Sequence, residues 1–227
     1  MKAGAQESRN LAWMLVYGDM VTLLLTFFVL LFVIMKDAEN NVYRMIDKIL
    51  TITESQIKMH VEESGLSKTI IIDRDTKGIH LTISSGALFA LGDDKVKPEL
   101  MPLLDKIGEA VAEVRYISEE KDPRFSKFFE AIDKRGLKFE VEIRVEGHTD
   151  NTPINTPKFP SNWELSSYRA LNVVKYMSKT SGIAEKSFSA LGYGEYRPLF
   201  PNDTFERRAA NRRVEIFIDA DVIKKTL

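Results

Sequence analysis

The chain has 227 residues, 44% of them hydrophobic and 29% charged, and 32 Lys plus Arg stand against 33 Asp plus Glu for a formal net charge of −1. That composition excludes a wholly disordered or fibrous protein, and the balanced charge lacks the basic bias of a dedicated nucleic-acid binder. The absence of Cys excludes disulfides, thiolate metal sites and cysteine nucleophiles. His60, His80 and His148 lie far apart without ligand spacing, so no metal site is expected.

From 12 to 35 the sequence reads AWMLVYGDMVTLLLTFFVLLFVIM, with Asp19 its one charged residue. As a helix this run is about 36 Å long, against a bilayer core of about 30 Å. It is too long for a signal peptide and has no small-x-small cleavage pattern. An uncleaved membrane span is therefore expected over 12–35, after a tail at 1–11. Lys2 and Arg9 precede it and Lys36, Arg44 and Lys48 follow, so flanking charge does not decide the orientation. A carboxylate inside a span costs about 2.5–3.5 kcal/mol on insertion scales, so the default reading of Asp19 is functional, the alternative being an acid that hydrogen-bonds a neighbouring helix for assembly. Thr22 and Thr26 share its face and are candidate ion-path residues. Their hydroxyls have a plainer alternative, bonding back to the preceding turn. One helix encloses no pore, so a membrane partner is implied.

Residues 36–64 are polar, with Val42, Met45, Ile46 and Ile49 at i, i+3, i+4 and i+7. This spacing predicts an amphipathic linker helix. A globular domain is expected over 65–227. Residues 69–73 and 79–84 flank Asp75-Thr76-Lys77-Gly78 and read as a β-hairpin. The period over 98–114 is helical, with Pro98 suited to a first turn. Residues 117–136 are highly charged and read as an insertion with a short helix at 125–134. Phe139, Val141, Ile143 and Val145 alternate with charged residues as one buried strand face. Ser161 and Glu164 match a capping box that opens a helix to about 179. A strand at 187–191, a short helix at 204–210 and a strand at 214–218 complete an α/β or α+β domain with a mixed sheet.

The chemistry concentrates in Glu146-Gly147-His148-Thr149-Asp150-Asn151-Thr152-Pro153-Ile154, then Phe159-Pro160-Ser161-Asn162-Trp163-Glu164-Leu165-Ser166-Ser167-Tyr168-Arg169, and Asn211-Arg212-Arg213-Val214-Glu215. In this order they resemble the OmpA-like peptidoglycan-binding domain, in the form found in MotB proteins. The run WMLVYGDMVTLLLTFFVLLF is similar to the MotB/PomB membrane helix with its ion-carrying aspartate. The resemblance implies a flagellar stator B-subunit and not an enzyme. Such a subunit is a single-pass inner-membrane protein with a cytoplasmic N-terminus and a periplasmic wall-binding domain. It implies a homodimer within a ring of MotA-type subunits, acting through that ring on the rotor, with no cofactor and no nucleic acid. The transported ion is H⁺ or Na⁺, carried by Asp19.

By the same resemblance Asp150 meets the ammonium of a stem-peptide diamino acid and Arg169 its carboxylate, with Thr149, Asn162, Leu165, Ser166 and Arg213 lining or supporting the groove. A zwitterionic ligand suits one anion and one planar cation on a rigid frame. The alternative for Asp150 and Arg169 is an ion pair joining loop to helix. His148 reads as a loop-fixing residue, and Asn211 and Arg212 as ordering the strand entry. Val42, Met45, Ile46 and Ile49 fall where the family carries a plug against ion leakage, the alternative being a passive spacer. Other readings of the whole chain are a subunit of another ion-driven motor or a simple membrane-to-wall tether. No paired carboxylates, zinc ligands or Ser/His/Asp set suggest a hydrolase.

Overall fold

The computed structural model describes the backbone of residues 2–75, 77–119 and 122–225, and the side chains of 13–35, 42–75, 77–114, 116–117 and 122–225. Thr76 of the expected turn and the side chains of the 1–11 tail lie outside the described residues. The chain divides into two units, Met1–Arg44 and Met45–Leu227. One helix, α1 (Lys2–Glu63), supplies the first unit and opens the second.

In the first unit, Trp13–Met35 is long and apolar enough to cross a membrane. Every residue of that stretch, Asp19 included, is exposed on the chain taken alone. Thr22 Oγ1 donates to the Asp19 carbonyl (2.8 Å) and Thr26 Oγ1 to the Leu23 carbonyl (2.9 Å), so both hydroxyl protons are held by the helix itself.

The second unit is built on a five-stranded sheet in the order β1-β2-β5-β3-β4. The strands are β1 (Ile70–Arg74), β2 (Gly78–Ser84), β3 (Leu137–Gly147), β4 (Phe188–Gly192) and β5 (Arg213–Lys224). β3 and β4 run parallel, and the other pairings are antiparallel. Because side chains alternate along a strand, Ile143 and Val145 of β3 share one face with Val214, Ile216 and Ile218 of β5, and all five are fully buried. Helix α3 (Met101–Glu119) and helix α5 (Asn162–Ser181) cover that face through Leu104, Ile107 and Val111, and through Ala170, Val173 and Met177. The opposite face carries His80, Arg144, Glu146, Glu215 and Phe217.

Two expected boundaries change. The helix expected at 98–114 begins with a 3₁₀ turn at Pro98–Leu100 and continues as α3 to Glu119, taking the first residues of the charged 117–136 stretch. The rest of that stretch is no appendage. After the short helix α2 (Ser85–Leu88) and α3 comes α4 (Ser126–Asp133), whose Phe128 and Phe129 each meet Phe139 of β3 edge-on at 6.2 Å.

The larger correction concerns 36–64, expected to be a linker separate from 65–227. Met45–Glu63 belongs to the folded unit. Ile46, Ile49, Leu50, Thr53, Ile57 and Val61 recur at helical spacing and are all buried. Each buried aliphatic among them contributes roughly 1.5–3 kcal/mol over an exposed one. Arg74 of β1 clamps the helix through the Asp47 carboxylate (2.6 Å), the Asp47 carbonyl (2.8 Å) and Thr51 Oγ1 (2.6 Å). Gln56 donates to Glu113 of α3 at 2.7 Å. Of the four residues assigned to a plug, Ile46 and Ile49 are thus buried in the second unit, Met45 is half-buried within it, and Val42 is half-exposed in the first unit. An unpartnered apolar stripe is not what this helix presents.

Candidate functional site

The site lies where β3 and β4 end and α5 begins. Gly147 and Gly192 are paired in register at those ends. A Cβ on Gly147 would sit 2.2 Å from the Ser166 carbonyl oxygen, and one on Gly192 would sit 2.1 Å from Ser167 Oγ and 2.4 Å from its backbone nitrogen. Only glycine lets the first turns of α5 lie this close to the strand ends. Ser161 caps α5, accepting from the Trp163 N–H at 3.1 Å while its hydroxyl donates to the Glu164 carboxylate. Leu165 and Arg169 are thereby set over the loop that leaves β3.

A cavity of about 280 Å³ opens there, with Thr149, Asp150, Asn162, Leu165, Arg169 and Arg212 among its walls. Leu91, Pro153 and Ile154 add apolar surface. Asp150 is buried, and its carboxylate accepts from the Thr152 N–H (2.9 Å) and from Arg212 Nη1. Asn162 Nδ2 holds the loop by donating to the Thr152 carbonyl (3.0 Å) and the Asp150 carbonyl (3.3 Å). The Thr149 hydroxyl is buried in the cavity wall with no hydrogen-bond partner among the described residues, a polar atom placed for a ligand.

Arg169 is 6% exposed. Its Nε donates to the Asp93 carbonyl (2.8 Å), Nη1 to Ser85 Oγ (2.9 Å) and Nη2 to the Ala90 carbonyl (3.4 Å), with Phe89 beneath the guanidinium at 5.0 Å. Burial pulls its pKa down to about 10, so it stays charged at neutral pH. A guanidinium has five N–H donors. Three are spent on the 85–93 segment, and the group is held rigid with donors left for a ligand.

Thr149, Asp150, Asn162, Leu165 and Arg169 therefore meet at one cavity, as expected. Ser166 and Arg213 do not reach it. Ser166 is fully buried, accepts from the Gly194 N–H and donates to the Trp163 carbonyl (both 2.9 Å), and so fixes a neighbouring turn. Arg213 lies buried on the opposite sheet face, paired with Glu215. The Asp150–Arg169 ion pair weighed from the sequence is replaced by Asp150–Arg212. Arg212, assigned only to strand entry, is a wall of the cavity. Asn211 does order that entry, its side-chain amide bonding to Leu199, Phe200 and Asn202.

One further cluster is buried near the site. Ligand atoms of Glu146, His148 and Glu215 lie within 4.8 Å of one another. Glu146 and Glu215 are cross-strand partners, a repulsive arrangement by itself. Arg144 pairs with Glu146, and Arg213 and His80 pair with Glu215. With its charges already balanced, this cluster reads as a strut of the sheet rather than a cation site. Burial, with the Arg213 cation next in weight, lowers the His148 pKa to about 4, so the ring is neutral.

Comparison with known proteins gives a family match for each half of the chain. The OmpA family matches residues 88–212, and the family described as "Membrane MotB of proton-channel complex MotA/MotB" matches residues 1–51. The chain is 28% identical over 246 residues to the uncharacterized protein YtxE of Bacillus subtilis (strain 168), covering 95% of this chain and 91% of that one. It is 31% identical over 165 residues to Motility protein B of the same organism, covering 73% of this chain but only 54% of that protein. A solved structure described as a putative MotB like protein from Desulfovibrio vulgaris superposes with a TM-score of 0.58 at 27% identity, covering 79% of this chain and 99% of that one. The chain belongs to the OmpA family and is a MotB-type protein, an apolar N-terminal helix joined to an OmpA-like peptidoglycan-binding domain.

Proposed function

We propose that the protein is the B-subunit of an ion-driven stator of the flagellar motor, anchored to peptidoglycan through the Asp150–Arg169 cavity and carrying ions on Asp19. The observation that carries this reading is the joining, on one chain, of a membrane-length helix bearing a single carboxylate to a domain whose cavity holds the Asp150 carboxylate, paired with Arg212, together with the buried Arg169 guanidinium. In the cavity, Asp150 receives the ammonium of a diamino acid of the stem peptide. Arg169 and Arg212 receive its carboxylate, the Thr149 hydroxyl supplies a further hydrogen bond, and Leu165 with Ile154 encloses the methylenes. An anion and a rigidly held guanidinium in one cavity select a zwitterion over either ion alone.

In the membrane, Asp19 is neutralised by H⁺ or Na⁺ and released in turn. Thr22 and Thr26 offer hydroxyl oxygens beside it. A lone helix cannot shield this cycle from lipid, so the subunit works as a homodimer within MotA-type subunits, which pass the movement to the rotor. The N-terminus lies in the cytoplasm, the helix in the inner membrane and the wall domain in the periplasm. The test is retention of the full chain, in detergent, on purified sacculi. Wild type is retained, and Arg169→Ala reduces retention by tenfold or more, on the order of one or two lost charge-assisted bonds. Undiminished retention of a folded Arg169→Ala protein overturns the assignment of the cavity.

A further inference from the structure

Beside the cavity lies a second concavity of about 220 Å³ that the peptide reading leaves unused. Its walls include the rings of Trp163 and Tyr196, which are 51% and 71% exposed with centroids 5.6 Å apart. Large aromatic surface left open beside polar groups is a mark of a binding face. Neither ring sits on a loose segment. Trp163 is in the first turn of α5, tied through its N–H to Ser161 Oγ. Tyr196 follows Gly194, whose positive φ of 55° turns the chain so closely onto α5 that a Cβ there would lie 3.3 Å from the Trp163 nitrogen. The Tyr196 N–H closes the turn on the Tyr193 carbonyl at 3.2 Å.

Polar groups stand at the edge of these rings. Glu195 accepts from Asn162 Nδ2 at 3.2 Å through Oε2 and is itself partly exposed, and the Asn151 side chain is exposed on the same rim. A pyranose presents the matching pattern, with C–H bonds on its face and hydroxyl and acetamido groups around its edge. The electropositive C–H face suits an aromatic face, and the edge groups suit a carboxylate and an amide. An aliphatic peptide segment would use the rings but not the polar rim. The concavity also shares Pro153, Ile154 and Asn162 with the charged cavity, so the two are parts of one surface.

We infer that Trp163 and Tyr196 form a subsite for a hexosamine ring of the glycan strand, read together with the stem peptide in the neighbouring cavity. This inference rests on the wall-binding reading of that cavity. Peptide and sugar are covalently joined in the wall polymer, so adjoining subsites let one ligand fill both and raise affinity without a second docking event.

Trp13 and Trp163 are the two tryptophans of the chain, so Trp13→Phe leaves Trp163 as sole reporter in the full chain in detergent. Two probes are compared by calorimetry and by Trp163 emission. One is the free stem tripeptide ending in diaminopimelate. The other is the same tripeptide on its N-acetylglucosaminyl-N-acetylmuramyl disaccharide. The disaccharide form is expected to bind about tenfold more tightly and to alter Trp163 emission. Tyr196→Ala and, separately, Trp163→Ala should bring the two affinities within about twofold by weakening the disaccharide form, with tripeptide affinity unchanged. Trp163→Phe should keep most of the advantage. Equal affinities in the wild-type pocket, or an advantage that survives both alanine variants, overturns the sugar subsite while leaving the peptide cavity standing. Failure of both probes to bind overturns the two readings together.

Discussion

Arg212 Nη1 donates directly to Asp150 Oδ2, so the buried acid of the cavity is held by a partly exposed cation just before β5 rather than by Arg169 on α5. Asp150 also accepts the Thr152 N–H, which fixes the loop leaving β3. Its carboxylate thus has a structural role and a proposed binding role. Substitution separates the two. Asp150→Asn keeps an acceptor for Thr152 and should lose less than about 1 kcal/mol of stability, whereas Asp150→Ala should lose about 1–2 kcal/mol. Both should cut retention on sacculi by tenfold or more, because neither offers an anion to an ammonium. Denaturant unfolding and sacculus binding of each variant provide the check, and wild-type retention by Asp150→Asn would remove the carboxylate from the recognition scheme.

Asp19 is the single charge between Trp13 and Met35. Asp19→Asn should leave the protein inserted and bound to its membrane partner but abolish ion flux and torque, since an amide cannot alternate between charged and neutral forms. Asp19→Glu should preserve part of both. Swimming assays with membrane fractionation read these outcomes, and normal motility of the Asn variant would end the ion-carrying role.

The docked half of α1 makes a prediction about stability. Ile57 is fully buried. Ile57→Ala should destabilise the folded unit by about 2–5 kcal/mol, the range for truncating a buried aliphatic. The exposed neighbour Met59 should tolerate Ala with a change within about 0.5 kcal/mol. Thermal unfolding of the two variants distinguishes a structural helix from a passive spacer, for which neither substitution would matter.

Acid should weaken the domain through the buried strut. His148 has its folded pKa depressed to about 4 from an ordinary 6.5 by burial. Its neutral form is the folded one, so its contribution is intact above pH 6.5 and is lost progressively as pH falls towards 4. The loss approaches roughly 3 kcal/mol at the acid end. Burial raises the Glu215 pKa, but hydrogen bonds from His80 and Arg213 outweigh it and bring the group to about 2 from 4.5. Its share is present above pH 4.5 and lost as pH falls through 2, which adds to the same trend. His148→Gln should flatten the pH 6.5 to 4 part of the stability profile, as read by urea midpoints across that window. An unchanged slope would mean that the ring is not what titrates.

Much of this arrangement was legible in the chain. The alternation of Phe139, Val141, Ile143 and Val145 with charged residues is a period-two signal, and it gave β3 and its buried face. The resemblance to the OmpA-like domain pointed to Asp150, Asn162, Leu165 and Arg169, four walls of the cavity. Ser161 and Glu164 marked the start of α5. These signals survive in one dimension because each arises from residues within a few positions of one another, where backbone geometry imposes the spacing.

What one dimension could not decide was which remote group each side chain meets. The stripe Met45, Ile46 and Ile49 has the same periodicity on a free linker as on a helix packed into a domain. Its partners, signalled by Arg74 and Glu113, lie far along the chain. Arg212 and Arg213 are adjacent, and a strand directs neighbours to opposite sides. Alternation along β5 puts Arg213 beside Glu215 on the face away from the core, while Arg212, just before the strand, lines the cavity with Asp150, which is 62 positions away in sequence. The sequence alone determined the elements, the apolar helix with its one acid and most of the site. Tertiary structure alone decided the docking of α1 and the ion pairing of Asp150, because those depend on contacts between segments whose separation in sequence carries no periodic trace.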